Sequence, residues 1–391
     1  MRKSLICIIV LLASISGVGQ VAVVDGMSYT TIKPNLLYRV YYPKGTAPTA
    51  PLPIVVWFHS GGWLVGGRGD AKITPLVCTS DQTIACYLAD HGYVVYSFDY
   101  TLIDKYAAGS DLTISAPNTV TAASHTFTPT DVGSQLLVMT TGKWSPGGYS
   151  VISVSNGAAV LNTSPGPVGA SKAQYNLLLG SSLWPAQWQD SNCFLRFLAE
   201  NAGVTVPGNP QNMVLLGHSS GGQLDSVVGF SGNDAFPSNC DHTSVNYTIK
   251  GIVAFSPPSD LVTAYSESTN IKSPIRGLLG CIPNVGSCNP IAYSASPLGF
   301  VGENLPPYMS FSGQGDITVP PQNVQEVQTA FANLNPPVQS QWILLGPAFS
   351  HPLDLFYYPN CAYYKEPSPC GSAGIAFQTA FPFIQSVTGP Q

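Results

Sequence analysis

The sequence predicts an α/β fold, in which helices flank a mainly parallel sheet and a small all-β module is inserted into one connection. Short continuous apolar runs recur along the 391-residue chain, and helix-like stretches separate several of them. Strands that alternate with helices in this way form parallel sheets covered on both faces. One long region lacks helical periodicity and instead shows strand-like alternation between turns. This region predicts the inserted module.

The apolar runs have the length and composition of strands that are buried on both faces of a sheet. Helix-like stretches lie at residues 189–202 and 322–334. We therefore expect one α/β domain made of residues 20–103 and 183–391. The apolar runs lie at residues 54–58, 93–98, 213–216, 252–255, 308–311 and 342–345.

Residues 104–182 interrupt this pattern with Thr, Ser, Val and Gly in strand-like alternation. Runs at residues 135–139, 149–154 and 158–161 are separated by Gly, Pro or Asn turns. A disordered linker is the alternative, but a linker does not need several apolar β-branched runs at short spacing. We expect a compact β module that affects substrate choice rather than chemistry.

Composition argues against several classes of partner. Charged residues make up 9% of the chain, against about 25% in typical soluble domains, and the net charge is −5. No run of Lys or Arg offers a footprint for nucleic acid or an anionic membrane surface. No C-x2-C pair and no two histidines at ligand spacing occur, so the sequence predicts neither a metal site nor another cofactor. The oligomeric state stays open.

The N-terminus has the pattern of an export signal. Arg2 and Lys3 precede an apolar run at residues 5–14, and small residues follow it. A membrane anchor is the alternative, but the run is shorter than the roughly 20 residues that a spanning helix needs. We expect residues 1–19 to be a cleaved signal peptide and the protein to be secreted, either extracellular or periplasmic, with no stable membrane span.

Cysteine usage agrees with export. Removal of Cys7 with the signal peptide leaves eight of the nine cysteines, and an even number in an exported chain predicts disulfides. Three pairs of cysteines lie close in sequence, and the two cysteines left over make the expected fourth pair. We expect the pairs Cys78 with Cys86, Cys281 with Cys288, Cys361 with Cys370, and Cys193 with Cys240.

The stretch Gly217-His218-Ser219-Ser220-Gly221 carries the strongest functional signal. It follows the strand-like M-V-L-L and precedes a helix-like segment. A G-x-S-x-G sequence forms a nucleophile elbow where a strand ends and a helix begins, because the turn lifts the serine oxygen clear of the sheet. We therefore predict that Ser219 is a nucleophile.

A serine hydroxyl needs a base to accept its proton and an acid to orient that base. In proteins with this elbow, the acid and then the base follow the serine along the chain. His351 follows a strand-like run and is the expected base, whereas His242 lies too near the elbow to leave room for an intervening strand. Asp316 follows the run at residues 308–311 and is the expected acid, with Asp260 as the alternative.

Three further aspartates, Asp225, Asp234 and Asp241, lie too near the elbow to be the acid. We expect them to be solvated or to cap helices.

The loop after the first buried strand, His59-Ser60-Gly61-Gly62-Trp63, is suited to hold an oxyanion. Glycines let backbone N–H groups approach a substrate closely. We predict an oxyanion hole formed by the N–H groups of Gly61, Gly62 and Ser220. His59 is expected to fix the loop rather than to act as a second base.

These motifs resemble the hormone-sensitive-lipase-like branch of the α/β-hydrolases, including exported carboxylesterases of the feruloyl or carbohydrate esterase type. The resemblance covers nearly the whole chain except the insert, and it implies an esterase that uses the triad Ser219, Asp316 and His351. The matching stretches are F-H-S-G-G-W at 58–63, D-Y-T-L at 99–102, W-P-A-Q-W-Q-D at 184–190, G-H-S-S-G-G at 217–222, P-P-Y at 306–308 and G-D-I-T-V-P at 315–320.

Three positions depart from the family's pattern. Ser60 replaces the first glycine of H-G-G-G, Thr101 replaces the arginine of Y-R-L, and Ser220 replaces the usual alanine. None of them is a proton-transfer group, although the surroundings of Thr101 are expected to differ.

Hydrolysis of small-molecule or polymer-linked carboxylic esters, through an acyl-enzyme, is the function that the sequence favours. An exported serine peptidase or amidase of the same fold is the first alternative. A non-catalytic surface binding protein is the second, but an intact triad argues against it.

We predict that the mature, oxidised protein contains no free thiol, because eight cysteines remain after removal of the signal peptide. Thiol titration under denaturing, non-reducing conditions measures this, and the fully reduced protein provides the control. Two or more reactive thiols per chain would contradict four disulfides.

Overall fold

A computed structural model of the chain describes residues 21–47, 50–69, 76, 78, 83–347, 349–351 and 370–389. The expected signal peptide at residues 1–19 lies outside these residues, and so does the expected Cys361–Cys370 pair, of which only the backbone of Cys370 is described. Among the described residues, no helix combines the length and the apolar character that crossing a membrane requires.

The described residues form fourteen strands and eight α-helices. The strands are β1 (Val21–Ser28), β2 (Leu37–Pro43), β3 (Pro53–Phe58), β4 (Val94–Phe98), β5 (Lys105–Ala116), β6 (Thr119–Thr121), β7 (Gln135–Val138), β8 (Gly147–Ser155), β9 (Ala158–Leu161), β10 (Ala173–Leu178), β11 (Asn209–His218), β12 (Ile249–Phe255), β13 (Tyr308–Gly313) and β14 (Ser340–Leu345). The helices are α1 (Ile84–Asp90), α2 (Ala186–Asn201), α3 (Ser220–Ser231), α4 (Leu261–Glu267), α5 (Lys272–Leu279), α6 (Cys288–Ser294), α7 (Pro321–Ala332) and α8 (Cys370–Thr388).

Eight strands form the main sheet in the spatial order β1-β2-β4-β3-β11-β12-β13-β14. Strand β2 pairs antiparallel with both of its neighbours, and the other adjacent strands pair in parallel. In β3, Ile54, Val56 and Phe58 pack in one core cluster, while Val55 and Trp57 pack in another. Both faces of the sheet are therefore buried, and the predicted mainly parallel sheet flanked by helices is confirmed.

The inserted β module is confirmed as a closed antiparallel barrel. Its six strands follow the order β10-β5-β6-β9-β8-β7 and then return to β10. Its interior is filled by buried side chains such as Leu112, Ile114, Leu136 and Tyr175. A closed barrel leaves no open sheet edge, so this unit completes its own hydrogen bonding and encloses its own core.

The chain enters and leaves the barrel at one place. The backbone N–H of Asp104 donates to the Ser182 hydroxyl at 2.9 Å, and the N–H of Leu179 donates to the Asp104 carbonyl at 2.8 Å. These bonds tie the two connecting segments together just beyond the carboxyl end of β4. They support our proposal that the insert spans residues 104–182.

Three of the predicted disulfides are present. Cys78 pairs with Cys86, Cys193 with Cys240, and Cys281 with Cys288. The Cys193–Cys240 bridge links α2 to the loop that follows α3, across 47 residues of sequence.

A buried ion pair lies beside Thr101, the position at which the family resemblance implies an arginine. Asp190 is buried on α2 and accepts hydrogen bonds from the Thr101 N–H at 2.8 Å and from Lys33 Nζ at 2.7 Å. Lys33 Nζ also donates to the Thr101 hydroxyl at 3.0 Å. The positive charge beside Asp190 thus comes from the loop between β1 and β2, and Thr101 leaves room for it.

We predict that Lys33→Met lowers the free energy of unfolding by about 2 kcal/mol, because it leaves the buried Asp190 carboxylate without its cation. This loss is smaller than the usual cost of breaking a buried ion pair, because Lys33 is partly exposed. Denaturant unfolding measures the change. Lys250→Met, which removes an exposed lysine, is the matched control, and Asp190→Asn should partly rescue Lys33→Met. Equal stabilities for the two lysine variants would contradict the assignment.

Candidate active site

Ser219 lies at a sharp turn between β11 and α3. Its backbone has φ 55° and ψ −119°, a strained conformation for a residue with a side chain. The Ser219 N–H donates to the carbonyl of Phe255, at the end of the adjacent strand β12, at 2.8 Å. The turn places the side chain at the carboxyl edge of the sheet, where α/β proteins bind ligands.

The two glycines of the G-x-S-x-G sequence are required by close backbone packing. A Cβ on Gly221 would lie 2.1 Å from the Phe58 carbonyl oxygen, and a Cβ on Gly217 would lie 2.4 Å from the Gly221 carbonyl oxygen. Any side chain at either position would therefore force β11, α3 and the end of β3 apart.

The structure brings Ser219, Asp316 and His351 together. His351 Nε2 lies 2.9 Å from Ser219 Oγ, and His351 Nδ1 lies 2.8 Å from Asp316 Oδ2. The three residues follow β11, β13 and β14, three strands that end at the same edge of the sheet. The arrangement has the distances of a nucleophile, a base and an orienting acid.

The Asp316 carboxylate is buried and its position is fixed by the backbone. Its Oδ1 accepts hydrogen bonds from the N–H groups of Thr318 and Val319, each at 2.9 Å. Its Oδ2 faces His351, so an N–H at Nδ1 completes the contact and leaves Nε2 free to accept a proton from Ser219.

The alternative acid and base lie in other contacts. Asp260 caps α4, where its Oδ1 accepts from the Val262 N–H at 2.8 Å. The two ring nitrogens of His242 contact Glu200 and the Tyr29 carbonyl. The structure thus brings neither Asp260 nor His242 to Ser219.

The three aspartates near the elbow have different environments. Asp241 bonds Thr30 and Thr31, and these hydrogen bonds lower the Asp241 pKa to about 2 against the opposing effect of burial. Asp234 is exposed and pairs with Arg196. Asp225 is fully buried on α3, and burial raises its pKa well above the usual range. The expectation that Asp225 is solvated or capping is therefore wrong, because α3 packs against the sheet along this face.

A second histidine lies beside His351. The ring centroids of His218 and His351 are 5.1 Å apart, and His218 is buried. Burial holds the pKa of His218 well below its usual value, and the charge of His351 lowers that pKa further. His218 therefore remains neutral, and only His351 of the two is suited to carry a proton.

The predicted oxyanion loop follows β3. Gly61 and Gly62 have φ values of 122° and 62°, and the Gly62 N–H donates to the Ser220 hydroxyl oxygen at 3.0 Å. The His59 ring is buried and stacks on Tyr100 with a centroid distance of 4.0 Å. This stacking is the contact expected of a residue that fixes the loop.

Helix α5 lies over this loop. A Cβ on Gly62 would lie 3.3 Å from the side chain of Pro274, which shows how closely the helix approaches. Near the site, Leu64 and Val65 follow the loop and Ile317 follows Asp316; these side chains are 38%, 63% and 71% exposed. The neighbourhood of the site is therefore apolar.

One group of residues in the described part of the chain has atoms close enough for a metal ion. It consists of Cys193, Cys240 and Asp241, but the two cysteines form a disulfide. Their sulfur atoms are not thiolates, which metals require.

Comparison with known proteins identifies the fold. Residues 172–331 match the model of the BD-FAE family, which is a hormone-sensitive-lipase-like family. The matched segment includes the elbow and the expected acid. The protein has the α/β-hydrolase fold. The resemblance stated from the sequence is confirmed by this match. No match is found among curated protein sequences.

Several solved structures are similar to this protein over nearly the whole chain. A carbohydrate esterase from gut microbiota, in a truncated form, is 15% identical, with a TM-score of 0.55 over 94% of this chain and 96% of the other. A C6-C4 SN3-inhibited esterase B from Lactobacillus rhamnosis is 18% identical, with a TM-score of 0.56 over 96% and 90%. Esterase 2 of Thermogutta terrifontis, phosphonylated by sarin, is 15% identical, with a TM-score of 0.57 over 95% and 97%.

We predict that Asp316→Asn lowers kcat for ester hydrolysis by about 10³–10⁴-fold, because an amide at this position favours the wrong tautomer of His351. Steady-state kinetics on a p-nitrophenyl ester measures the effect. The matched control Asp260→Asn, which alters a helix cap, should change kcat far less. The reverse ranking of the two variants would assign the acid to Asp260.

Proposed function

We propose that this α/β-hydrolase is a secreted serine carboxylesterase. The observation that carries the proposal is the hydrogen-bonded chain from Ser219 Oγ through His351 to the buried Asp316. A serine hydroxyl paired with a histidine in this way is an activated nucleophile. A turn with strained backbone that holds such a serine at a sheet edge is typical of a functional site.

The geometry supports acyl transfer in two steps, acylation of Ser219 and hydrolysis of the acyl-enzyme. Ser219 Oγ attacks the ester carbonyl carbon while His351 Nε2 takes the hydroxyl proton, and the carbonyl oxygen becomes an oxyanion. The C–O bond to the alcohol then breaks, and His351 gives its proton to the departing alcohol. Water attacks the resulting acyl-enzyme with His351 again as the base, which releases the carboxylic acid and restores Ser219.

Charge is stabilised at two points during these steps. Asp316, held by two backbone N–H groups, stabilises the protonated form of His351. We assign stabilisation of the oxyanion to the N–H groups of Gly61, Gly62 and Ser220. The two glycines follow the end of β3, and Ser220 is the first residue of α3. Neutral His218 adds no second positive charge beside His351.

Carboxylic esters are the substrate class that we assign. The apolar side chains of Leu64, Val65 and Ile317 suit an uncharged acyl or alcohol group. The similar solved structures are esterases by their descriptions, which agrees with this assignment.

Export is the expected context of the activity. Disulfides persist in oxidising compartments, and three are present in the described residues. Together with the signal-like N-terminus, they support secretion.

The barrel is assigned to substrate selection. A Cβ on Gly148 of β8 would lie 2.0 Å from the carbonyl oxygen of Gly280, which ends α5. The barrel therefore packs against the helix whose Pro274 lies over Gly62. This contact supports a position of the insert beside the proposed site, where it limits the size of the substrate.

We predict that Ser219→Ala lowers ester turnover by at least about 10⁴-fold, because no other group replaces the nucleophile. A panel of p-nitrophenyl esters of rising chain length, with methyl ferulate and acetylated xylan, measures turnover and identifies the preferred acyl group. Thermal unfolding of the variant provides the folding control. Retention of a tenth of wild-type turnover in folded Ser219→Ala would exclude Ser219 as the nucleophile.

A further inference from the structure

The residue after the nucleophile carries a hydroxyl that takes part in the oxyanion loop. Ser220 is buried at the start of α3, and its Oγ accepts a hydrogen bond from the Gly62 N–H at 3.0 Å. An alanine, which the family resemblance implies here, has no atom that could make this bond. The Gly62 N–H, one of the three expected oxyanion donors, thus has a partner before any substrate binds.

A second buried hydroxyl holds the other end of the loop. The Tyr100 hydroxyl donates to the His59 carbonyl at 2.9 Å. A backbone N–H only donates and a carbonyl only accepts, so the direction of both bonds is determined. Ser220 accepts from Gly62, and Tyr100 donates to His59.

These two bonds fasten both ends of the loop. His59 is bound at the start of the loop and Gly62 at its end, while Gly61 between them has φ 122°, a conformation that only glycine adopts readily. Stacking on Tyr100 and the approach of Pro274 restrain the loop from outside. The hydrogen bond to Ser220 is the contact that connects the loop directly to the residue beside the nucleophile.

We propose that the Ser220 hydroxyl is a positioning group, which holds the oxyanion loop at a fixed distance from Ser219. The Gly61 N–H and the backbone N–H of Ser220 then provide the main donors to the oxyanion, while the Gly62 N–H mainly holds the loop. The inference rests on the proposed esterase function and deepens it. It assigns to Ser220 two separate roles, one for its backbone and one for its side chain.

The test is kinetic. Ser220→Ala removes the hydroxyl and leaves the backbone N–H in place. The loop then no longer holds the Gly61 N–H at a fixed distance from the oxyanion, so we expect kcat for a p-nitrophenyl ester to fall about tenfold, as for the weakening of one hydrogen bond to the transition state. The KM should change less than about twofold, and the pH midpoint of kcat should not move, because His351 is untouched. The inhibition constant of an alkyl trifluoromethyl ketone, which forms a tetrahedral oxyanion with the serine, should rise by the same factor as kcat falls.

Two further variants separate positioning from general loss of packing. Ser226→Ala removes another buried hydroxyl of α3, which bonds the Gly222 carbonyl at 2.7 Å, and should leave kcat and the ketone affinity near wild type. Tyr100→Phe removes the hydrogen bond that holds the other end of the same loop, at the His59 carbonyl. It should lower kcat in the same direction, and the double variant Ser220→Ala/Tyr100→Phe should lose much less than the product of the two single effects.

Three results would overturn the proposal. An unchanged kcat in Ser220→Ala would mean that the loop is held without the hydroxyl, and a higher kcat would mean that the hydroxyl competes with the oxyanion for the Gly62 N–H. Multiplying effects in the double variant would show that Ser220 and Tyr100 act separately. If Ser220→Ala does not fold, Ser220→Cys replaces it, because its sulfur is a weak acceptor, and unchanged kinetics there overturn the proposal. Failure of the esterase assignment itself would appear separately, as turnover that survives Ser219→Ala.

Discussion

The turn at Ser219 is the constraint on which the rest of the site depends. A residue with a side chain is held at positive φ, and it stays there because β11, α3 and the end of β3 pack so closely around Gly217 and Gly221 that no Cβ fits. Strain of this kind costs about 1–3 kcal/mol and persists only where the surrounding structure enforces it. Here the enforcing structure is the buried parallel sheet.

The sheet brings together residues that are far apart in sequence. Ser219 and His351 are separated by 132 positions, yet their side chains meet at 2.9 Å because β11 and β14 end at the same edge. The same edge is where β3 leads into the proposed oxyanion loop and where β4 leads towards the barrel. One short surface therefore carries the proposed chemistry, and the barrel reaches it through α5 without supplying any residue of the proposed triad.

Much of this architecture could be predicted from the sequence, for identifiable physical reasons. Strands buried on both faces, such as β3 and β12, are continuous apolar runs, and the elbow has a glycine pattern that its packing requires. Strands β1 and β2 were not predicted, because no residue of β1 is buried and β2 carries Arg39 among its buried residues. Closure of the barrel depends on strand register, which the composition of residues 104–182 does not determine.

The remaining features depend on contacts between distant segments. The Lys33–Asp190 pair joins positions 157 residues apart, and nothing local to Lys33 indicates its partner. Burial of Asp225 follows from the way α3 lies on the sheet, which its neighbours in sequence, Leu224 and Ser226, do not determine. The bond from Gly62 to Ser220 also becomes visible only when the loop and the elbow are placed side by side.

The central claim is that Ser219 becomes acylated because His351 and Asp316 activate it. Reaction with a fluorophosphonate, followed by intact-mass measurement and peptide mapping, tests this most directly. The account predicts one adduct per chain, located on Ser219, and a strongly slowed reaction in His351→Ala. An adduct on another residue, or labelling of Ser219 at an undiminished rate without His351, would contradict it.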